Sequence, residues 1–553
     1  MAEVLLISPP PWGTSMPPLG VAYLAAHLRA KGLAVDVCDL NQEFFQAALP
    51  QQRQLWDFST INQCAPQDVA AELWRNFAAQ IQAKILQWRP YRIVGFSAGN
   101  VISAAFVSLV ARQLKQSAAA VTTVAGGAGC HYGWDRNRFL SRAAIDFVVI
   151  GEGEQSLLFL INALRHGGAR GAAAAGIPGV LPYGLDHAYR FVPPEPPADL
   201  DALAYPSFEE FSLDWYRDAA ARSTAGGGLR LPILISRGCV NRCSYCIDCT
   251  MCRPFRTRSP ELIVRELGDH VRKYGVRQFE LNDLLCNGNL DHLEKFCDAV
   301  IGADLKISWH SYAIIRRDMS AGLFRKMRQS GCASICYGLE SAADEILARM
   351  RKSYTAADAR DILRRTCAAG IKTQLNVIVG FPGERDHEFE KTRAFLAENK
   401  EWINQVNNVS AFVLMPDADV GIYPHRYGIT FACPDNPEQW ADEYGLTAAG
   451  RNRRVRAVCE TLRCLGIVNL IVNTATAAAT GDEPVMPVPR RSKQQNTLLP
   501  VAAPSRCGTG SFRRARLLRK WFVLVFLFGI ALVLDMYLWL LKKIRRSIIF
   551  PGT

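Results

Sequence analysis

Five of the 17 cysteines in this 553-residue chain fall between Cys239 and Cys252, in the string SRGCVNRCSYCIDCTMC. Cys239, Cys243 and Cys246 are spaced C-x3-C-x2-C, and Cys249 and Cys252 continue at x2 intervals. Soft thiolates at such spacing suit an iron–sulfur cluster or zinc. Three ligands on one loop leave one iron of a four-iron cluster open, free to bind and activate a substrate. The last four cysteines could instead form a closed site of the bacterial ferredoxin type, or hold zinc. Two features favour the open site. Cys239 follows directly on a buried strand at the rim of a barrel, where catalysis belongs. Tyr245, just before the third cysteine, could pack on a flat ligand ring.

The elements around this loop alternate between strand and helix patterns. Residues 1–165 carry short apolar runs ending near Ser97, at Gly126-Gly127 and at the GEGE string 151–154, with amphipathic helical stretches between them. Repeated β-α units of this kind imply a parallel sheet covered on both faces. Ligands of such sheets sit beyond the carboxyl ends of the strands. Residues 166–230 are rich in Pro and Gly and read as a linker. A second alternating block, 231–450, has expected strands at 232–236, 277–281, 306–311, 334–338, 372–379 and 409–414. Six β-α units are two short of a full barrel, so an open or partial barrel is the simplest closure. Residues 451–476 read as a helical extension and 477–512 as a second linker.

Composition narrows the class. Apolar residues make up 49% and charged residues 21%, which excludes a mainly disordered or fibrous chain. Clustered cysteines in so long a chain argue against a secreted disulfide framework and for metal or redox chemistry in a reducing compartment. The N-terminus MAEVLLISPPP lacks a basic region and a long apolar run, so it is no signal peptide, and a cytoplasmic body is expected. Of the net charge of +13, residues 489–553 contribute +12, so the basic character belongs to a tail and no nucleic-acid partner is expected.

The C-x3-C-x2-C motif with an aromatic before its last cysteine resembles the radical SAM superfamily. The SRGC lead-in, the YGLESA string (Tyr337–Ala342) and GFPGE (Gly380–Glu384) look like further motifs of that family. The first block, with its PPLG near residue 20 and its GEGE end, is similar to the cobalamin-binding domain fused to many such enzymes. The resemblance covers roughly residues 1–450. It implies a [4Fe-4S] cluster on Cys239, Cys243 and Cys246, whose open iron chelates S-adenosylmethionine and cleaves it reductively to a 5′-deoxyadenosyl radical. In many cobalamin-fused members methylcobalamin then supplies a methyl group. By the same resemblance, Tyr245, Asn282, Asp283, Glu340 and Gly380 are candidate S-adenosylmethionine contacts, and Pro382 and Gly383 would admit close backbone approach. Ser97, Gly126, Gly127, Gly151 and Glu152 are candidate cobalamin contacts. The first loop, SPPPWGTSMPPLG, lacks the histidine that some cobalamin domains offer to cobalt. Cys249 and Cys252 are extra to the triad and read as non-ligands. Arg256 and Arg258 read as salt-bridged or solvated, with an anionic substrate or the cofactor as the alternative partner.

Residues 521–541 contain 14 Leu, Ile, Val or Phe and one charge, Asp535, and basic clusters flank them. As a helix they would span about 31 Å, the thickness of a hydrocarbon core. The expected fold class is therefore α/β: an N-terminal doubly wound, Rossmann-like cobalamin-binding domain, then a partial (β/α)6 TIM-like radical SAM barrel, then a C-terminal transmembrane helix. The expected location is the cell membrane, single-pass, with the catalytic domains cytoplasmic. The expected function is C-methylation of an unactivated carbon, on a small-molecule or lipophilic substrate, with a reductant protein of the flavodoxin or ferredoxin type. A radical cyclase or rearrangement catalyst, a sulfur-insertion enzyme using Cys249 and Cys252, and a closed-cluster electron-transfer protein are the alternatives. Replacing Cys239, Cys243 or Cys246 by Ala should abolish 5′-deoxyadenosine formation in anaerobically reconstituted protein, while Cys249→Ala and Cys252→Ala keep the cluster. A Cys239 variant that kept its cluster while the Cys249 and Cys252 variants lost theirs would establish the closed site.

Overall fold

The computed structural model describes residues 2–62, 64–130, 144–166, 176–182, 192–222, 228–248, 252–432 and 439–474. The first sheet is built from β1 (Val4–Ser8), β2 (Val35–Asp39), β3 (Ile93–Ser97), β4 (Thr122–Gly126), β5 (Phe147–Val149) and β6 (Val180–Pro182). Its order is β2-β1-β3-β4-β5-β6, with only β6 antiparallel to its neighbour. Strand β1 reads VLLIS and is buried throughout. Val4 and Leu6 pack with the helices Leu19–Ala30 and Gly153–Arg165, whereas Leu5 and Ile7 pack with Pro66–Trp88 and Val101–Ser117. Burial on both faces is why the strand reads as one apolar run instead of alternating. The strand order reverses between β1 and β3, which opens a crevice at the carboxyl ends there.

A short antiparallel ribbon of β8 (Ser236–Arg237) and β9 (Arg256–Thr257) follows β7 (Arg230–Ile233) and brackets the cysteine loop. Then come β10 (Gln278–Leu281), β11 (Ser308–Ala313), β12 (Cys332–Glu340), β13 (Lys372–Val379) and β14 (Gln405–Ala411). A small hairpin of β15 (Thr430–Phe431) and β16 (Trp440–Ala441) precedes β17 (Val468–Asn473). The second sheet runs β17-β14-β13-β12-β11-β10-β7, and every pairing in it is parallel. It is a partial barrel of seven strands. The seventh, β17, lies in the stretch read from sequence as helical extension. The helix Ala448–Leu465 returns the chain to the sheet edge, and Gly466 ends that helix in a left-handed conformation. The run IVNLIV (467–472) was a visible strand signal for β17. Likewise, 166–230 is more than a linker. It supplies β6 and the helix Leu213–Arg222, whose Tyr216 is fully buried and donates to Asp39 at 2.6 Å. A three-residue edge strand ending in proline leaves little sequence trace.

No helix among the described residues is long and apolar enough to cross a membrane. The longest, Pro66–Trp88, buries Val69, Leu73, Phe77, Ile81 and Ile85 on one face, and carries Asp68, Glu72, Arg75 and Lys84 in the same 23 residues. It is a core-packing helix with one apolar stripe. The expected span at 521–541 lies outside the described residues. The fold class is corrected to the two α/β domains, since no transmembrane helix stands among the described residues, and the single-pass cell-membrane location read from one is withdrawn with it.

The two sheets share one hydrophobic core, in which Leu6, Tyr23 and Val149 join Ile233, Leu281 and Leu339. Buried charges reinforce the joint. Arg237, between β7 and the cysteines, donates to Glu152 at 2.8 Å and to Glu154 at 2.7 Å, and its guanidinium lies 5.1 Å from the centre of the Tyr23 ring. Arg256 donates to Glu152 as well. Burial raises the Glu154 carboxyl, but Arg237 outweighs it and holds the group below its ordinary range. Side-chain exposure is only 13% for Arg237 and 5% for Glu154, so loss of Arg237 strands the Glu154 charge, whereas loss of Glu154 leaves Arg237 paired with Glu152. Arg237→Met should cost about 3–5 kcal/mol in urea unfolding, and Glu154→Leu/Arg237→Met should recover most of that loss.

Candidate active site

The cysteine loop leaves β8 through Gly238 and is stitched to the segment that follows the helix Asp344–Arg349. Ser244 donates from its amide to the Met350 carbonyl at 3.1 Å and from its hydroxyl to the Arg349 carbonyl at 3.0 Å. Cys243 is buried, and Cys239, Cys246 and Cys252 are half-buried. Asp248 accepts from the Cys246 thiol at 3.7 Å and from the Cys252 thiol at 3.9 Å. Burial pushes the Asp248 carboxyl up, and burial with the Asp248 charge pushes the Cys252 thiol up to about 12. Cys249 lies outside the described residues. Among the described residues no three His, Cys, Asp or Glu side chains already converge as a metal site. The donor set nevertheless fits a cluster: three soft thiols within eight residues, at the carboxyl end of a barrel strand.

A cavity of about 340 Å³ opens between the carboxyl ends of both sheets. Ser97, Gly126, Gly127, Gly151 and Glu152 all line it from the first domain. Asn282 and Asp283 line it from the second, beside Gly238 and Cys252. The cavity runs down the first sheet as a slot to Leu6 and Gly95, walled by Leu19, Val124, Val149 and Leu157. Its apolar walls and small floor suit a flat aromatic group such as the nucleotide base of cobalamin. Gly127 has φ +95°, and a Cβ there would meet the Ala98 carbonyl oxygen at 2.5 Å, so a side chain is excluded on both counts. No histidine is among the described residues lining the cavity. Glu152 contributes to that wall, and its carboxylate is engaged by Arg237 and Arg256.

The remaining candidates fall into three environments. Asp283 accepts from the amides of Ile235 and Ser236 and from the Ser236 hydroxyl at 2.6 Å, bracing the end of β7. Burial raises its carboxyl to about 6 against these hydrogen bonds. Tyr245 and Glu340 meet around Lys352, whose ammonium lies 3.2 Å from Glu340 Oε1 and 5.4 Å from the centre of the Tyr245 ring. Gly380 stands apart from both. Its φ is +74°, and a Cβ there would strike the Arg451 side chain at 2.4 Å. Its amide donates to the buried Glu384 at 2.6 Å, and burial raises that carboxyl to about 7. Arg256 and Arg258 are buried and paired, Arg258 with Glu266 at 2.5 Å. Lys352 and Arg237 were missed from sequence. Arg237 had a signal in its place within the SRGC lead-in; Lys352 had none.

The family model for the radical SAM superfamily matches residues 233–396, and that for the B12 binding domain matches residues 12–160. The chain belongs to the radical SAM enzymes that carry a B12-binding domain, and its cofactors are a [4Fe-4S] cluster, S-adenosylmethionine and cobalamin. It is 26% identical over 405 residues to the uncharacterized methyltransferase PH0819 of Pyrococcus horikoshii, covering 71% of this chain and 77% of that protein. It is 28% identical over 283 residues to the anaerobic magnesium-protoporphyrin IX monomethyl ester cyclase of Rubrivivax gelatinosus, covering 50% of this chain and 48% of the cyclase. The chain thus spans about half the length of that relative. Its fold is similar to the radical S-adenosylmethionine methyltransferase TsrM of Kitasatospora setae, solved with cobalamin and a [4Fe-4S] cluster, at a TM-score of 0.59 and 18% identity over 84% of this chain and 91% of that one. It is also similar to the cobalamin-dependent radical enzyme OxsB, at a TM-score of 0.54 and 17% identity over 72% and 52%.

A Cβ at Gly126 would sit 3.4 Å from the Val149 carbonyl, an ordinary contact. Gly126→Ala should therefore fold and keep cobalamin, whereas Gly126→Val should fold but lose it, as read by cobalamin absorbance after gel filtration.

Proposed function

We propose that this enzyme methylates a carbon of a polar small molecule. One observation carries the reading: a single cavity receives the candidate cobalamin contacts Ser97, Gly126 and Gly151 and the candidate S-adenosylmethionine contacts Asn282 and Asp283. Cys239, Cys243 and Cys246, on the loop that begins after the lining residue Gly238, would hold the cluster. When bound, the cofactors supply a radical source and a transferable methyl group, and the protein supplies position and shielding. Arg237, held by Glu152 and Glu154, keeps the two domains' contributions in register.

The substrate class follows from the inner face of the barrel sheet. Along β13, Thr373, Leu375, Val377 and Val379 are buried, Leu375, Val377 and Val379 packing in the same core as Ile362 and Leu363 of the helix Ala356–Ala368. Gln374, Asn376 and Ile378 face the other way and stay half-buried. Strand register sets Gln374 beside Cys336 and Cys336 beside Tyr312, and sets Asn376 beside Asn408. Asn407 donates to the Tyr312 hydroxyl at 3.2 Å, and Asn473 to Asn408 at 3.2 Å. A lumen of amides and a phenol, with the Glu280 carboxylate beside Tyr312 and paired with Arg230 at 3.3 Å, favours a hydrogen-bonding ligand over a lipophilic one, because an apolar ligand would desolvate these groups without meeting their remaining hydrogen-bonding capacity. A reductant protein of flavodoxin or ferredoxin type is the proposed electron donor.

Cyclisation is the second reading, favoured by the likeness to the cyclase over half the chain. Reconstituted enzyme should be incubated with methyl-deuterated S-adenosylmethionine, a chemical reductant and a polar cell extract, then analysed by mass spectrometry. Methylation predicts a product carrying the deuterated methyl group. A product two hydrogens lighter, without label, would establish cyclisation instead.

A further inference from the structure

Glu280 places a carboxylate on the inner face of the barrel sheet. Its neighbours in β10, Phe279 and Leu281, pack in the helix-covered core, so the two-residue period turns Glu280 the other way. The Glu280 side chain is only 15% exposed, and burial raises its carboxyl against the lowering effect of Arg230. Arg230 Nη1, 3.3 Å from Oε2, is its one hydrogen-bond donor among the described residues, and Oε1 has none there. A carboxylate has room for about four hydrogen bonds, and one long contact offsets little of the hydration lost on burial.

The surrounding wall supplies no further cation. Strand register sets His310 beside Glu280, and its Nδ1 lies 2.7 Å from the Ser334 hydroxyl. Burial, with the charges of Arg230 and Lys372, pushes the imidazole down to about 4, so it is neutral near pH 7. Burial pushes the Tyr312 phenol up to about 12 and also raises the Cys336 thiol, and the Glu280 charge adds to both shifts. Lys372 belongs to β13, three strands away from β10. Position along the strand supplies a direction of approach. Asn282, two residues beyond Glu280, lines the cofactor cavity, so Glu280 lies roughly 7 Å deeper at 3.3–3.4 Å per residue. Arg230 is deeper again, paired in register with Gln278. A group entering the lumen from the cavity meets the carboxylate before the guanidinium.

We propose that the substrate carries a protonated amine and that Glu280 is the specificity-determining residue that receives it. The ammonium donates to Oε1, while Arg230 holds Oε2 from below and favours the ionised carboxylate. The inference deepens the reading of this enzyme as one that methylates a polar small molecule, and it rests on that reading.

The test uses the full chain, reconstituted anaerobically with its cofactors, methyl-deuterated S-adenosylmethionine and a polar cell extract in three forms. One form is untreated. One is treated with N-hydroxysuccinimidyl acetate, which acylates amines and removes their charge. One is reductively dimethylated with formaldehyde, which adds similar bulk and keeps the charge. Mass spectrometry reads the deuterated product. The wild-type enzyme should label the dimethylated extract about tenfold or more over the acetylated one, the scale of a charge-assisted hydrogen bond. Glu280→Gln, with wild-type iron and cobalamin content, should bring that ratio close to one and raise the amount of untreated extract needed for half-maximal labelling. Glu280→Asp should recover part of the ratio. Equal labelling of both treated extracts by the wild type would overturn the inference, as would a Glu280→Gln enzyme that keeps the wild-type ratio. Absence of deuterated product from the untreated extract would instead overturn the methylation reading on which the inference stands.

Discussion

The joint between Arg237 and the carboxylates Glu152 and Glu154 is the constraint on which the rest depends. Interfaces between domains of one chain are usually modest and polar, and relative motion is the default. Here Arg237 immediately precedes Gly238 and Cys239, so the residue that pins the domains also sets where the cysteine loop begins. Its partners sit in the GEGE string that closes the first sheet's last parallel strand. Charges buried to this extent are tolerated only when paired, so a shifted arrangement of the domains would leave them stranded. The pairing thereby selects one relative placement, and the cavity exists only in that placement.

Each side of that cavity is made by a different device. In the first domain, small residues at strand ends leave a slot whose walls are the apolar side chains of the sheet itself. In the second, residues just beyond the ends of β7 and β10, among them Ser236, Gly238, Asn282 and Asp283, form the wall, while polar side chains collect on the inner face of the barrel because helices claim the alternate residues for the core. Parallel strands with a two-residue period carry both requirements at once. The arrangement separates cofactor shielding from ligand recognition, and this is how a chain with ordinary composition can host chemistry that its side chains cannot perform unaided.

Local distortion is concentrated where the second sheet approaches the cysteine loop. The bulge at Gly338–Glu340, the bracing by Tyr354 and the buried Lys352 form one cooperative unit, and none of its members makes sense alone. Other irregular positions have plainer causes. Gly380 gives way to Arg451, and Gly383 to the Arg349 guanidinium, which a Cβ would approach to 2.5 Å. The GFPGE string is thus shaped by packing against its neighbours.

Much of the architecture was legible in one dimension because its causes are local. Alternating apolar runs and amphipathic stretches mark β-α units by their periods, and the C-x3-C-x2-C spacing states its donor chemistry outright. Small residues at Ser97, Gly126 and Gly151 were readable as strand ends, and the structure brings them to one cavity with Asn282 and Asp283. What escaped depends on partners distant in sequence. Strand β17 gains its place only by pairing with β14, and β6 only by capping β5. The same 2.0-residue period that identifies a strand says nothing about which neighbour it takes. Arg237 meets Glu152 across 85 residues, and Lys352 meets Tyr245 and Glu340 only after the barrel brings three segments together. Spacing along the chain determined which chemistry is available. Tertiary packing decided where it operates, because buried charges and hydrogen-bonding groups acquire their roles from whatever the fold sets beside them.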